Sequence, residues 1–230
     1  EEEFQKNNEK VSETMKNKKV SRTAQNESCG ETATWALDNG VLTISGTGAI
    51  ADYSDTSEIP WEDQKKTITK IVIENGITEI GIQAFYDCTN VTEVVFPDTL
   101  TTIKRGAFFQ CYSLEAAILP DGVTTLEQGA FAKCSSMMQY SGKGVTSYGQ
   151  FAFQDTALSS FEIPKGVADI ESLVFLNCGI EEYTLAEGNE TYMVKDGILF
   201  SKSGDELVIY PAEKKDETYR IPEGCTKIAD

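Results

Sequence analysis

The side chains capable of chemistry in this 230-residue chain are six cysteines and 37 aspartates and glutamates; histidine is absent. Without an imidazole there is no Ser–His–Asp triad, no Cys–His dyad and no histidine-ligated zinc. Adjacent carboxylates such as Glu181-Glu182 and Asp205-Glu206 leave a carbohydrate-active enzyme as a remote alternative, although so acidic a chain produces such pairs by accident. Neither an Asp-x-Asp-x-Asp-Gly calcium loop nor a Gly-x-x-x-x-Gly-Lys phosphate loop occurs, so the acidic surface offers calcium weak binding at most. The expectation is a chain that is not an enzyme and carries no cofactor. Its formal charge of −17 repels phosphate backbones and anionic membrane surfaces, which argues against nucleic acid as a partner. No stretch reaches the roughly 18–20 apolar residues of a membrane helix, so no membrane insertion within this chain is expected.

The spacing of the cysteines says more than their number. Cys88, Cys111, Cys134 and Cys178 each stand three positions beyond a phenylalanine, and only Thr156 breaks that column. The phenylalanines belong to Ala84-Phe85, Ala107-Phe108, Ala130-Phe131, Ala152-Phe153 and Val174-Phe175, separated by 23, 23, 22 and 22 residues. Ile77, Leu100, Val123, Val145 and Val167 lie eight positions before each ring, and Ile80, Ile103, Leu126, Tyr148 and Ile170 lie five before it. A cysteine in such a column is a small buried apolar residue. Stacked neighbours would run parallel rather than toward one another, which disfavours disulfides. Cys225 falls in the Val123/Val167 column and takes the same reading, while Cys29 stands apart and fits either a free or a paired thiol.

Elements that position these columns follow from the same register. Each unit opens on a strand-like piece: 68–73, 91–96, 114–119, 158–163 and 180–185 alternate inward and outward side chains near their ends. Pro97, Pro120 and Pro164 stop the strand, and Pro120-Asp121-Gly122 and Pro164-Lys165-Gly166 suit a turn with proline second and glycine fourth. Two buried aliphatics follow, then a helical or 3₁₀ turn holding Ala-Phe. One unit cannot bury enough surface to fold alone, but stacked units cover one another and share a parallel ladder, with the rings in an offset column.

The chain divides accordingly. Residues 1–28 are polar and predict a disordered tether, with a short exposed helix over Glu9 to Lys19 as the alternative. Residues 29–67 predict an N-terminal hairpin cap around the Asn39-Gly40 turn, sealed by Trp35 and Trp61. Repeats of 22–23 residues fill 68–191. A hairpin insertion built from Gly197–Phe200 and Leu207–Tyr210 occupies 192–218, and 219–230 starts a further, incomplete repeat, so continuation past Asp230 is expected. The chain opens on Glu1 without an apolar leader, as in a processed or trimmed polypeptide.

These columns, together with Cys29-Gly30, Trp35, Asn39-Gly40, Ile44-Ser45-Gly46-Thr47-Gly48 and Pro60-Trp61, resemble the BspA-type leucine-rich repeat family of bacterial surface proteins over residues 29–230. The fourth repeat, from Met137 to Gly144, departs by one deletion and a missing proline. The resemblance implies a leucine-rich-repeat solenoid: a β-rich right-handed coil of short parallel strands, with turns or short 3₁₀ or α turns opposite and an N-terminal β-hairpin cap. It also implies a secreted or bacterial cell-surface location and adhesion, and no catalytic or metal-binding residues.

Within that frame the outward strand face is the candidate binding surface. One outward column is Val72, Val95, Ile118, Glu162 and Thr184; the neighbouring one is Lys70, Glu93, Ala116, Ser160 and Glu182. An aliphatic ridge grading into an acidic region fits recognition of a protein ligand, a host matrix protein or another bacterial surface protein. Strand propensity alone also explains aliphatics there. The expected function is a non-catalytic binding or adhesion module, with a structural spacer that displays another domain as the alternative.

Overall fold

The computed structural model describes residues 27–229, apart from Ser172 and Glu217. The tether expected over 1–28, and the alternative helix within it, therefore fall outside the described residues up to residue 26. Glu27–Ser28 belongs to no tether: it pairs antiparallel with Ala33–Asp38 as an edge strand.

The repeat is a β-solenoid whose coils stack along three faces, the first laddered in pairs of strands and the other two laddered from coil to coil. On the first face, Lys70–Ile73 pairs in parallel with Glu93–Val95, Ala116–Ile118 with Gln139–Ser141, and Ser160–Ile163 with Glu182–Leu185. On the second, Gly48–Ala49, Ile77–Ile80, Thr102–Ile103, Thr125–Leu126, Ser147–Tyr148 and Asp169–Ile170 form one unbroken parallel sheet. The sequence showed this second sheet only as a pair of buried aliphatics per unit.

The third ladder runs through the Ala-Phe segments, which are turns rather than a helical or 3₁₀ element. Phe85, Phe108, Phe131 and Phe153 donate their N–H groups to the carbonyls of Ala107, Ala130, Ala152 and Val174 at 2.8, 2.8, 2.9 and 3.0 Å. Donating sideways to the next coil uses N–H groups that a helix would turn along its own axis. Left-handed residues make this possible, two in each coil. Gln83, Gly106, Gly129, Phe151 and Leu173 form one column, at φ between 56° and 62°, and Asp87, Gln110, Lys133, Asp155 and Asn177 form the other. Glycine, asparagine and aspartate tolerate that region; Phe151 and Leu173 enter it at a cost that the ladder must offset.

The five phenylalanines stack inside. Rings of Phe85 and Phe108 lie 5.1 Å apart, Phe108 and Phe131 5.2 Å, Phe131 and Phe153 6.0 Å, and Phe153 and Phe175 5.7 Å, with interplanar angles of 4–22°. Trp61 continues the column at the N-terminal end, 5.4 Å from Phe85, with its indole N–H donated to Ala84 O at 3.1 Å. Trp35 meets Trp61 edge-on at 5.8 Å. The hairpin Ala33–Asp38/Val41–Gly46 turns at Asn39-Gly40, both at positive φ, and Val41–Ile44 pairs in parallel with the first repeat strand. The 3₁₀ segments Thr56–Glu58 and Glu62–Thr67 lie here, before the repeats.

At the other end the insertion is a three-stranded antiparallel meander rather than a two-stranded hairpin. Tyr192–Lys195 pairs with Ile198–Ser201 across Asp196-Gly197, and Ile198–Ser201 pairs with Glu206–Ile209. The Asp196-Gly197 turn, with φ of 55° and 75°, recruits the extra strand. Lys227–Ile228 then lies parallel to Glu206–Ile209. Ile221 and Ile228 are 43% and 64% exposed and Cys225 is only half-buried, unlike its column mates, since among the described residues no further coil covers them.

All six cysteines are free thiols, and five of them, all but Cys225, line the core. Cys111, Cys134 and Cys178 point their sulfhydryls at the carbonyls of Phe85, Phe108 and Phe153 in the preceding coil, at 3.3, 3.3 and 2.9 Å. Thr156 keeps a hydroxyl in the column, 3.2 Å from Cys178 Sγ. Burial pushes the Cys88 thiol up to about 12 from an ordinary 9.0, and burial raises Cys111, Cys134 and Cys178 as well. The thiolate is the reactive form, so these sulfurs are inert as nucleophiles.

Two measurements test this interior. Phe131→Ala removes a fully buried ring stacked on both sides and is expected to cost about 3–5 kcal/mol, more than Phe175→Ala, whose ring is parallel-stacked on one face only; urea unfolding gives the order. A thiol-labelling reagent at pH 8 should modify Cys225 quickly and the five buried cysteines only on unfolding, with Cys225→Ala leaving no fast phase. The folded pKa of Cys88 lies above its unfolded value, so its contribution to stability is complete below pH 9.0 and is lost as pH rises toward about 12.

Candidate protein-binding face

The outward strand residues form a surface because their inward neighbours are used up in the core. Ile71, Ile73, Ala117, Phe161 and Tyr183 are buried, which turns Val72, Ile118, Glu162 and Thr184 to the outside. Val72 sits opposite Val95 in the ladder, Lys70 opposite Glu93, Ser160 opposite Glu182 and Glu162 opposite Thr184. Ala116 and Ile118 pair with Gln139 and Ser141. Val95 is 40% exposed and Ile118 59%, whereas Val72, Ala116 and Lys70 are half-buried. Lys70 Nζ reaches Glu93 Oε1 at 2.8 Å, a cross-strand ion pair.

This face is not one sheet. Its ladder parts between Glu93–Val95 and Ala116–Ile118, and again between Gln139–Ser141 and Ser160–Ile163. At the second seam the rings of Tyr140 and Phe161 stack 5.3 Å apart. Tyr140 lies 4.6 Å edge-on to Phe153, and its hydroxyl meets that of buried Tyr148 at 3.3 Å. Gly142 accommodates this crowding, because a side-chain carbon there would collide with Tyr140 Oη. This is the structural consequence of the irregular fourth repeat. At the first seam Phe96 occupies a column otherwise held by Ile73, Leu119 and Ile163, and turns edge-on to Phe108 at 5.8 Å.

Each seam opens a hollow. The first, of about 430 Å³, is lined by Thr92, Glu93, Val94, Glu115, Ala116 and Ile118. The second, of about 240 Å³, is bounded by Tyr140, Lys143, Glu162 and Lys165 among others. Two residues absent from the sequence-derived columns join the surface here. Met138 is 65% exposed, and its N–H donates to the carbonyl of Glu115 at 3.0 Å, which places the two side by side on adjacent coils. The column Thr69, Thr92, Glu115, Met138 and Glu181, one position ahead of the Lys70 column, was the available signal.

Elsewhere some charged groups are held in ion pairs. Lys104 bridges Asp52 and Glu79 at 3.3 and 3.1 Å; burial works against its charge, but hydrogen bonds to Glu79 and Asp52 outweigh burial and hold its pKa above the usual lysine range. Burial likewise opposes the charge of Asp87, and hydrogen bonds from Lys66 and Lys65 hold it below the usual carboxylate range. Among the described residues no group of three or more Cys, Asp or Glu side chains is placed to hold a metal ion, and no helix is long and apolar enough to cross a membrane.

The fold has relatives among solved structures. A leucine-rich repeat protein from Eubacterium ventriosum superposes with a TM-score of 0.67 at 24% identity, over 87% of this chain and 54% of that one. The pneumococcal vaccine antigen PcpA gives 0.66 at 19% identity, over 90% and 62%. A leucine-rich cell surface protein from Faecalibacterium prausnitzii gives 0.59 at 24%, over 89% and 65%. This chain thus spans between about half and two-thirds of the length of these proteins. A search of curated proteins finds no match. The model of the BspA type leucine rich repeat region matches residues 63–181 in six copies, and with the stacked coils that bear it out, the chain belongs to the BspA-type leucine-rich repeat family.

Proposed function

We propose that this chain is a non-catalytic binding module of a secreted or surface-displayed bacterial protein, and that it recognises a protein ligand through its outward strand face. The observation that carries this is the exposure of Val95 and Ile118, at 40% and 59%, at equivalent outward positions of adjacent coils. Aliphatic side chains grouped in this way gain free energy when a partner covers them. Support for the location comes from the F. prausnitzii cell surface protein and the vaccine antigen that share the fold. The leucine-rich repeat family supports a binding role over catalysis.

The Val72→Ser/Val95→Ser/Ile118→Ser variant is the test. Substitutions at exposed Val95 and Ile118 each shift stability by about 0.5 kcal/mol or less and the half-buried Val72 adds about 1 kcal/mol, so the thermal midpoint should fall by only a few degrees. Binding to immobilised extracellular-matrix proteins or to intact cells of other bacteria should fall about tenfold or more. Unchanged binding removes the ridge from the interface and favours a structural spacer that displays another domain.

A further inference from the structure

Resting on the strand face as the binding surface, we propose that its partner is a cationic, extended protein segment that sets apolar and basic side chains on the same face.

Charge and shape at the first seam point the same way. Val94, Ala116 and Ile118 form its apolar wall, and Glu93 and Glu115 stand at its rim. Glu93 already has Lys70 beside it, while Glu115 has no ion-pair partner among the described residues. A lysine or arginine places a flexible aliphatic stem behind a positive head, which matches an apolar hollow with a carboxylate edge. Exposed Met138 extends the apolar surface next to Glu115.

Further along the same face, Glu182 is exposed and without an ion pair among the described residues, Glu162 is exposed and unpaired but shares its hollow with Lys143 and Lys165, and Glu181 is held by Lys215 at 3.1 Å. Glu115 and Glu182 belong to coils three apart, or about 14 Å at the usual strand spacing, which an extended chain covers in about four residues. Basic groups four residues apart, with an apolar residue midway between them on the same side, would therefore meet carboxylates and aliphatics in turn. The molecule as a whole carries a charge of −17, so it draws a cationic partner from a distance and repels an acidic one.

The probe is a fluorescently labelled peptide of three Leu-Ser-Lys-Ser repeats, with Leu-Ser-Glu-Ser and Ser-Ser-Lys-Ser repeats as comparisons, titrated with the whole chain by anisotropy. The expected result is saturable one-to-one binding of the first peptide alone, weakened about tenfold or more between about 20 and about 300 mM NaCl. Glu115→Gln/Glu162→Gln/Glu182→Gln should weaken it by a similar factor. Asp63→Asn/Asp98→Asn/Asp121→Asn, an equal change of charge off the strand face, should leave it unchanged, and so separates a local contact from general attraction to an acidic protein. Equal loss in both variants, unchanged binding in the first, or no binding of the basic peptide overturns the cationic partner. If the acidic peptide binds instead and the Val72→Ser/Val95→Ser/Ile118→Ser variant abolishes this, the partner's charge is refuted while the strand face stands. If that variant leaves every peptide's binding intact, the face itself is refuted.

Discussion

Every coil of this molecule depends on its neighbour to cover an aromatic ring. Phe108 is buried because Phe85 lies 5.1 Å to one side and Phe131 5.2 Å to the other, and each ring's own backbone N–H is bonded to the following coil. Packing and hydrogen bonding thus run along the same axis, coil to coil. A unit taken alone would expose both ring faces and a row of unpaired amides, so stability rises with the number of contiguous units. Trp61, with the edge-on Trp35 beyond it, ends the column on a larger ring.

This axial dependence leaves the outward positions free to vary. Side chains turned away from the column need only be compatible with a strand, which is why Lys70, Glu93, Ala116 and Ser160 can share one column. The second sheet and the turn ladder run unbroken through the repeats, and hold the coils together where the first face parts. The two seams are therefore tolerated without loss of the stack. They place apolar walls and carboxylates in shallow hollows, on a rigid frame that costs little ordering when a partner binds.

The absence of histidine and the inert state of the thiols point in the same direction. A thiol held in a dry core and bonded to the carbonyl of a phenylalanine is a packing group. Carboxylates such as Asp52, Glu79 and Asp87 are engaged by lysines. Glu115, Glu162 and Glu182, which lie on one outward surface, have no ion pair among the described residues and stay open to solvent.

The amino-acid sequence alone determined the stack: the 22–23-residue period, the Ala-Phe and cysteine columns, the Asn39-Gly40 hairpin and the outward position of Val72, Val95 and Ile118. These were legible because inward positions demand an apolar side chain of fixed size in every coil, and a demand repeated at fixed spacing stands out. The short second sheet was not legible, since a two-residue strand such as Thr102–Ile103 shows no alternation. Nor were the left-handed conformations of Phe151 and Leu173, which neither residue prefers and which the turn-region ladder imposes. The third strand of the meander, the parting of the first face and the exposure of Met138 were likewise decided in three dimensions. The parting of the first face depends on which side chains from different coils meet, such as Tyr140 against Phe153 and Phe161, rather than on any one position in the chain.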